Sequence, residues 1–372
     1  MGSGSGACGK WIPARPRSTT PRYRRLARQP AATQLTKAGH HRRTLPYAAL
    51  LAFLILLPYR TAPAQDGIRI PDDPSHAWLA PLAGQSLLLA VEKAGDRMIA
   101  AGERGHILYR QPDNGWHQAM VPTQALLTGL SFSDERHGWA VGHDGIILGT
   151  ADGGRTWRKL HEAVHEQRPL LDVRFRDKRT GFAAGAYGYF LRTEDGGATW
   201  RPGLVDEEHD FHLNAIATAP GDRIYIAAEA GHVYRSDDGG DHWHTLKAPY
   251  DGSFFGVHPL GGDRVMVFGL RGHLFVSEDA GGHWRPVATG TRAALTSAIE
   301  LGDGRLLLTG HAGTLLLADA DLQQIRHARL PERKALSDAV EIAPNRVLLV
   351  GEEGVRSVDL CRVFSCKALH GK

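Results

Sequence analysis

The sequence predicts an all-β fold: a seven-bladed β-propeller of four-stranded blades. Three observations carry that expectation. First, an apolar strand, the element G-x-x-G and a second apolar strand recur through the chain, with the first Gly position at 102, 142, 185, 228, 269, 310 and 351. The steps between these positions are 40, 43, 43, 41, 41 and 41 residues, a propeller-blade period. Second, four units run on into the turn motif S/T-x-D-x-G-x-x-W. Third, no segment of the body sustains a 3.6-residue apolar period, which argues against helices. Units of about 40 residues with Gly-rich turns between short strands describe propeller blades.

Residues 1–64 come first and read as a basic leader and signal peptide. They hold eleven of the chain's 44 Lys and Arg and no acid, which leaves 33 bases against 40 acids in residues 65–372. The folded body is therefore acidic, which excludes a nucleic-acid binder whose basic surface tracks phosphates. His41-Arg42-Arg43, the apolar run from Leu45 to Pro58 and Ala62-Pro63-Ala64 stand in the order of a secretory signal. A bilayer span needs about 20 apolar residues, and Arg60 and Asp66 close this run sooner. We expect cleavage after Ala64 and a periplasmic location, with an uncleaved, membrane-associated anchor as the alternative. Arg42-Arg43 leaves the general secretory and twin-arginine routes both open. No cysteine follows the cleavage site, which argues against a lipoprotein.

Residues 65–74 form a short mature N-terminal segment, and residues 75–360 the propeller. Within the third unit the strands are expected at 171–175, 181–185, 189–193 and 199–202. The four Asp-box turns carry Asp152 and Trp157, Asp195 and Trp200, Asp238 and Trp243, and Asp279 and Trp284. In each, the hydroxyl and carboxylate accept N–H groups inside the turn, and glycines take the positive φ. The Trp buries a flat face between neighbouring blades. A degenerate turn at Asp113 to Trp116 serves the first unit, and the sixth, at Asp319 to Asp321, has lost its Trp.

The seventh unit ends after Val355 to Leu360 without a fourth strand. His76-Ala77-Trp78-Leu79 resembles that strand, so residues 75–82 are expected to complete the last blade and close the ring. The tail, 361–372, carries Cys361 and Cys366, a spacing that suits a small disulfide loop in an oxidising compartment better than a redox or zinc site.

The unit GWAVGxxGxIxxTxDGGxTW at Gly138 to Trp157, repeated at Gly181 to Trp200, resembles the photosystem II stability/assembly factor family. The resemblance covers essentially the whole mature chain. It implies a seven-bladed, exported propeller with Asp-box (BNR) turns that acts without enzymatic chemistry, as a scaffold or assembly chaperone for a membrane protein complex. The implied partner is that complex or its nascent subunit; no cofactor, no metal and no small-molecule substrate is implied, and we expect a monomer.

The variable pairs inside G-x-x-G should ring one face of the propeller, with the Asp boxes on the other. Loop tips on a fixed scaffold are where recognition resides. The candidate partner-binding residues are Glu103, Arg104, His143, Asp144, Tyr187, Glu229, Arg271, His311 and Glu352, with Arg104, Tyr187 and Arg271 foremost because Arg and Tyr are enriched at hot spots. Glu207, Glu208, His209, Asp210 and His212 could hold a cation, but neighbours along one loop rarely converge on one ion. The competing function is a sialidase-like exo-glycosidase. Ile68-Arg69-Ile70-Pro71 resembles the sialidase N-terminal motif, although those propellers have six blades, and Glu103, Glu229, Glu352 and Glu353 would have to supply paired carboxylates.

Overall fold

The computed structural model describes residues 71–111 and 115–365. The leader, Arg69, Asp113-Asn114 and Cys366 lie outside the described residues. Seven antiparallel sheets follow one another along the chain, at residues 88–118, 127–161, 170–203, 213–247, 254–286, 295–329 and 336–359. They are blades 1 to 7. Six have four strands in sequential order and the seventh has three. In the third, the strands are Leu170–Phe175, Gly181–Gly185, Phe190–Thr193 and Arg201–Gly203. The last begins two residues later than expected because the Thr199 hydroxyl and N–H are engaged by Asp195 inside the turn.

The innermost strand of every blade bulges near its start. The displaced side chain ties blades together in three places. Thr128 Oγ1, Asn214 Nδ2 and Thr296 Oγ1 each donate to a carbonyl on the next innermost strand, of Leu170, Phe254 and Leu336, all at 2.8 Å. Second strands are buried apart from their first one or two residues in blades 1, 5 and 7, and outermost strands are largely exposed.

Each seam between blades is filled by apolar side chains that follow a third strand. Trp157, Trp200, Trp243 and Trp284 do this for the four seams from blades 1/2 to 4/5. Where the sixth unit lost its Trp, Leu322 and Ile325 pack into the seam instead. Between blades 6 and 7 the filling comes from Leu360 and Phe364 of a short helix, Leu360–Phe364, whose first turn is capped by Asp359. The propeller's packing thus runs past residue 360 into the expected tail. Cys361, on this helix, is disulfide-bonded.

The ring closes differently from expectation. Residues 75–82 form no fourth strand of blade 7; within them only Leu79 has bridge geometry. The segment is instead a strap fastened to blade 1: the Ala77 N–H donates to Val121 O (2.9 Å), and Gln118 Nε2 donates to Trp78 O (2.8 Å). The strap then crosses to blade 7, where Gly84 and Gln85 abut Gly354. Ala83, Leu88 and Trp116 pack with Leu348 and Val350 across the 7/1 seam. The physical reason is that the seam is sealed by side chains, so the missing strand needs only a covering segment.

Candidate functional site

The G-x-x-G turns do ring one face, together with the connections from each blade to the next. In six of them the second variable residue is left-handed, at φ 51–61°: Arg104, Asp144, Tyr187, Ala230, Arg271 and Ala312. The first Gly is needed because the incoming connection passes directly over it. A Cβ on Gly102 would lie 2.1 Å from Leu87 O. In the same arrangement the next N–H donates to that carbonyl, as Glu103 N does to Leu87 O and His143 N to Leu126 O. Blade 4 carries Ala228 at this position and, among the described residues, lacks this bond. There the Glu229 carboxylate accepts from the His212 N–H at 3.0 Å instead.

The nine candidate residues therefore divide. Arg104, His143, Asp144, Tyr187, Arg271 and His311 are exposed at the tips. Glu103, Glu229 and Glu352 spend a carboxylate oxygen on a loop N–H, of Leu87, His212 and Ala335. Those three are loop braces. Seven large apolar side chains are exposed among the described residues: Trp78, Leu82, Met120, Val164, Tyr187, Leu204 and Leu270. All lie on the strap, on blade-to-blade connections or on G-x-x-G tips.

The opposite face holds the Asp boxes as the motif requires. Asp152 accepts from the Arg155 N–H, the Thr156 N–H and hydroxyl and the Thr150 hydroxyl, and Thr150 Oγ1 accepts from the Gly154 N–H. Asp195 repeats this geometry, and the Thr199 hydroxyl leads the bonds that hold its carboxyl at about 2. In Asp238 and Asp279 the partner is a His imidazole, of His242 and His283.

A third feature is the charge inside the central channel, which the repeat pattern alone does not single out. The channel encloses about 630 Å³ and is lined by the innermost strands. Arg174 lies there 3.6 Å from Glu92, with Asp172, Asp338 and His258 nearby in charge terms. Asp172 accepts from the Ile216 N–H of the next blade, and Asp338 from the Val91 N–H and the Ser297 hydroxyl. Both carboxylates are inter-blade ties. Burial pushes Glu92 up to about 7, against the pull of Arg174 and with help from Asp338 and Asp172. Burial, then Arg174, pushes His258 down to about 4. Water reaches part of Glu92, whose side chain is 29% accessible, but protein surrounds it, and its Oε2 has no hydrogen-bond partner. The signal was present in the repeat: Glu92, Arg174 and His258 each stand four residues after the buried Leu88, Leu170 and Phe254, and Asp172 and Asp338 two after Leu170 and Leu336.

Among the described residues, no group of His, Cys, Asp or Glu is placed to hold a metal ion. In the 205–212 loop Asp206 is occupied by Tyr234 and by the loop's own N–H groups. Also among the described residues, no helix is long and apolar enough to cross a membrane.

A closed ring of seven blades, with hydrogen-bonded Asp-box turns on one face and exposed apolar tips on the other, defines an Asp-box β-propeller. Residues 109–169 and 161–318 match the family model described as photosynthesis system II assembly factor YCF48, and the chain belongs to that family. A photosystem II assembly lipoprotein Ycf48 of Trichormus variabilis is 40% identical over 131 residues, 35% of this chain and 39% of that protein. Its counterpart in a Nostoc species is 36% identical over 160 residues, 40% of this chain and 47% of that one. The chain thus spans less than half the length of these curated relatives. A solved structure of YCF48 bound to D1 peptide superposes with a TM-score of 0.61 at 16% identity, covering 78% of this chain and 98% of that one. The WD40 propeller of Doa1 superposes equally well at 12% identity, so these likenesses speak to the fold.

Proposed function

We propose that this chain is a non-enzymatic, exported assembly factor that holds a membrane-protein subunit on its loop face. The observation that carries the reading is the distribution of exposed apolar side chains, all seven on the strap and loop face. Exposed apolar surface concentrated on one side marks an interaction site. Membership of the assembly-factor family supports the same role, and one relative's structure is of a complex with a D1 peptide. Neither the family nor the braced loop carboxylates support the sialidase-like reading. Arg104, Tyr187 and Arg271 are the contact residues we assign, flanked by His143, Asp144 and His311. Export rests on the leader and agrees with relatives named as lipoproteins.

The test is affinity capture from gently solubilised membranes of the host, with the bound proteins identified by mass spectrometry. We expect a photosystem subunit or another membrane complex with the wild type, and loss of it with Arg104→Ala, Tyr187→Ala and Arg271→Ala combined. Unchanged capture by the triple variant moves the interface off these tips. N-terminal sequencing of the protein from the host checks the cut after Ala64.

A further inference from the structure

We propose that the loop face at blades 3 and 4 carries a recognition site for a basic peptide segment, with an Arg or Lys side chain lying on an aromatic shelf whose rim is acidic. This rests on the loop-face reading and adds the chemistry of the bound segment.

The shelf has two groups of rings held on one loop. Tyr187, 55% exposed at its left-handed tip, meets the His212 ring edge-on at 5.0 Å. The Gly188 N–H donates to Phe211 O at 3.0 Å, which fastens the connecting loop against that tip. Phe211 stacks on His209 at 4.7 Å with 9° between the planes, and lies 4.7 Å from His232. Leu204, at the start of the same loop, is 65% exposed.

The charge on the loop has one sign. Residues 204–212 contain four acids and no Lys or Arg. Asp206 is consumed by Tyr234 and by the loop's own N–H groups. Glu207, Glu208 and Asp210 are exposed, and no hydrogen bond or ion pair within the described residues neutralises them. Ring faces attract cations, and a guanidinium can stack on a ring while its fork reaches a carboxylate. An acidic segment would have to sit against three unpaired carboxylates, and a neutral one would gain nothing from them.

The experiment uses the mature chain and a fluorescently labelled twelve-residue peptide of alternating Arg and Leu, with versions carrying Gln or Glu in place of every Arg. Anisotropy should show saturable binding of the Arg peptide at least about tenfold tighter than the Gln peptide, weakened by salt, with no binding of the Glu peptide. Glu207→Lys, Glu208→Lys and Asp210→Lys combined should weaken the Arg peptide by about tenfold or more, and Tyr187→Ala by several-fold. Glu135→Lys, on the opposite face, should leave it unchanged. Equal binding of the three peptides, or Arg-peptide binding indifferent to the triple reversal, overturns the proposal. Capture of a membrane subunit that survives the triple reversal sinks this inference and leaves the assembly reading standing. Arg-peptide binding as expected, alongside no captured subunit, does the reverse.

Discussion

The two faces of the ring are built from the same repeat and have opposite characters. On the Asp-box face, nearly every charged side chain that crosses a seam finds a partner in the next blade. Arg97 donates to the Gly153 carbonyl, Arg176 pairs with Asp222, Arg192 with Asp241, Arg223 with Asp263 and Arg264 with Asp321, and Arg305 donates to Asn345. Each such exposed pair contributes little on its own. Together they tie neighbouring blades, although guanidinium nitrogens of Arg97, Arg176, Arg192, Arg264 and Arg305 stay buried without a hydrogen-bond partner. On the loop face, Arg104, Arg271, Glu207, Glu208 and Asp210 point outward without a partner in the described residues, and apolar side chains stay exposed. The difference separates a frame, whose charges are tied from blade to blade, from a surface left for something else to cover.

The sharpest way to break that distinction is to attack the frame. Trp157 is 7% exposed, packs in the 1/2 seam and donates its indole N–H to Gly154 O at 3.0 Å. Trp157→Ala should cost about 3–5 kcal/mol, seen as a lowered midpoint in chemical denaturation. Trp200→Ala, in a less closed position, should cost somewhat less. A variant of either that unfolds with the wild type would show that the seams do not depend on these side chains.

How much of this was legible in the sequence follows the same division. Residues repeated in register, such as Asp152 with Trp157, could be read because four copies share one physical task. The replacements were harder. Nothing local in Leu360 and Phe364 announces that they fill the 6/7 seam as a Trp fills four others, since a short helix rather than an Asp-box turn brings them there. The strap at residues 75–82 carries a strand-like pattern, yet Gln118, forty residues away, directs its backbone elsewhere. The channel charges were legible only after alignment of the repeats, because a lone Asp on a strand looks like any solvent-facing acid. Of the tip residues, Glu103, Glu229 and Glu352 were indistinguishable from Arg104 until the course of the loops was known.

The channel belongs to the frame as well, and pH tests it. Glu92 has its folded-state value raised to about 7 from 4.5, so the folded chain holds this proton more tightly than the unfolded one. Its contribution is fully present below about 4.5 and is lost as pH rises through about 7, at most about 3 kcal/mol before screening by channel water. His258 is lowered to about 4 from 6.5, so its contribution is present above 6.5 and lost as pH falls through about 4. The two oppose each other between these limits, which should flatten the wild-type stability curve there. Glu92→Gln should leave a curve that rises with pH from about 4 to 6.5, and His258→Gln one that falls from about 4.5 to 7, by denaturant titration at stepped pH. Curves of the same shape in both variants would mean that the channel groups are solvated as in free water.

A smaller effect is expected at a single turn. Asp152→Ala removes a carboxylate that accepts four hydrogen bonds in a partly exposed loop. The expected loss is about 1–2 kcal/mol, because water replaces part of what is removed. A loss near that of Trp157→Ala would place the Asp box, rather than the seam, at the centre of the frame.

The smallest stability effect belongs to the tips. Arg104, Tyr187 and Arg271 have left-handed backbones, which Ala tolerates no worse than they do, as Ala230 and Ala312 at equivalent positions demonstrate. Among the described residues the two Arg side chains make no bond that the fold would lose, and Tyr187 gives up only its edge contact with His212. Each change to Ala should therefore move stability by no more than about 0.5 kcal/mol. The same three changes should abolish capture of the proposed membrane-protein partner. A surface that is thermodynamically idle in the isolated chain and decisive in its complex is what separates a binding face from a frame. If the triple variant lost stability on the scale of Asp152→Ala, the tips would be part of the frame, and the two faces would differ in degree only.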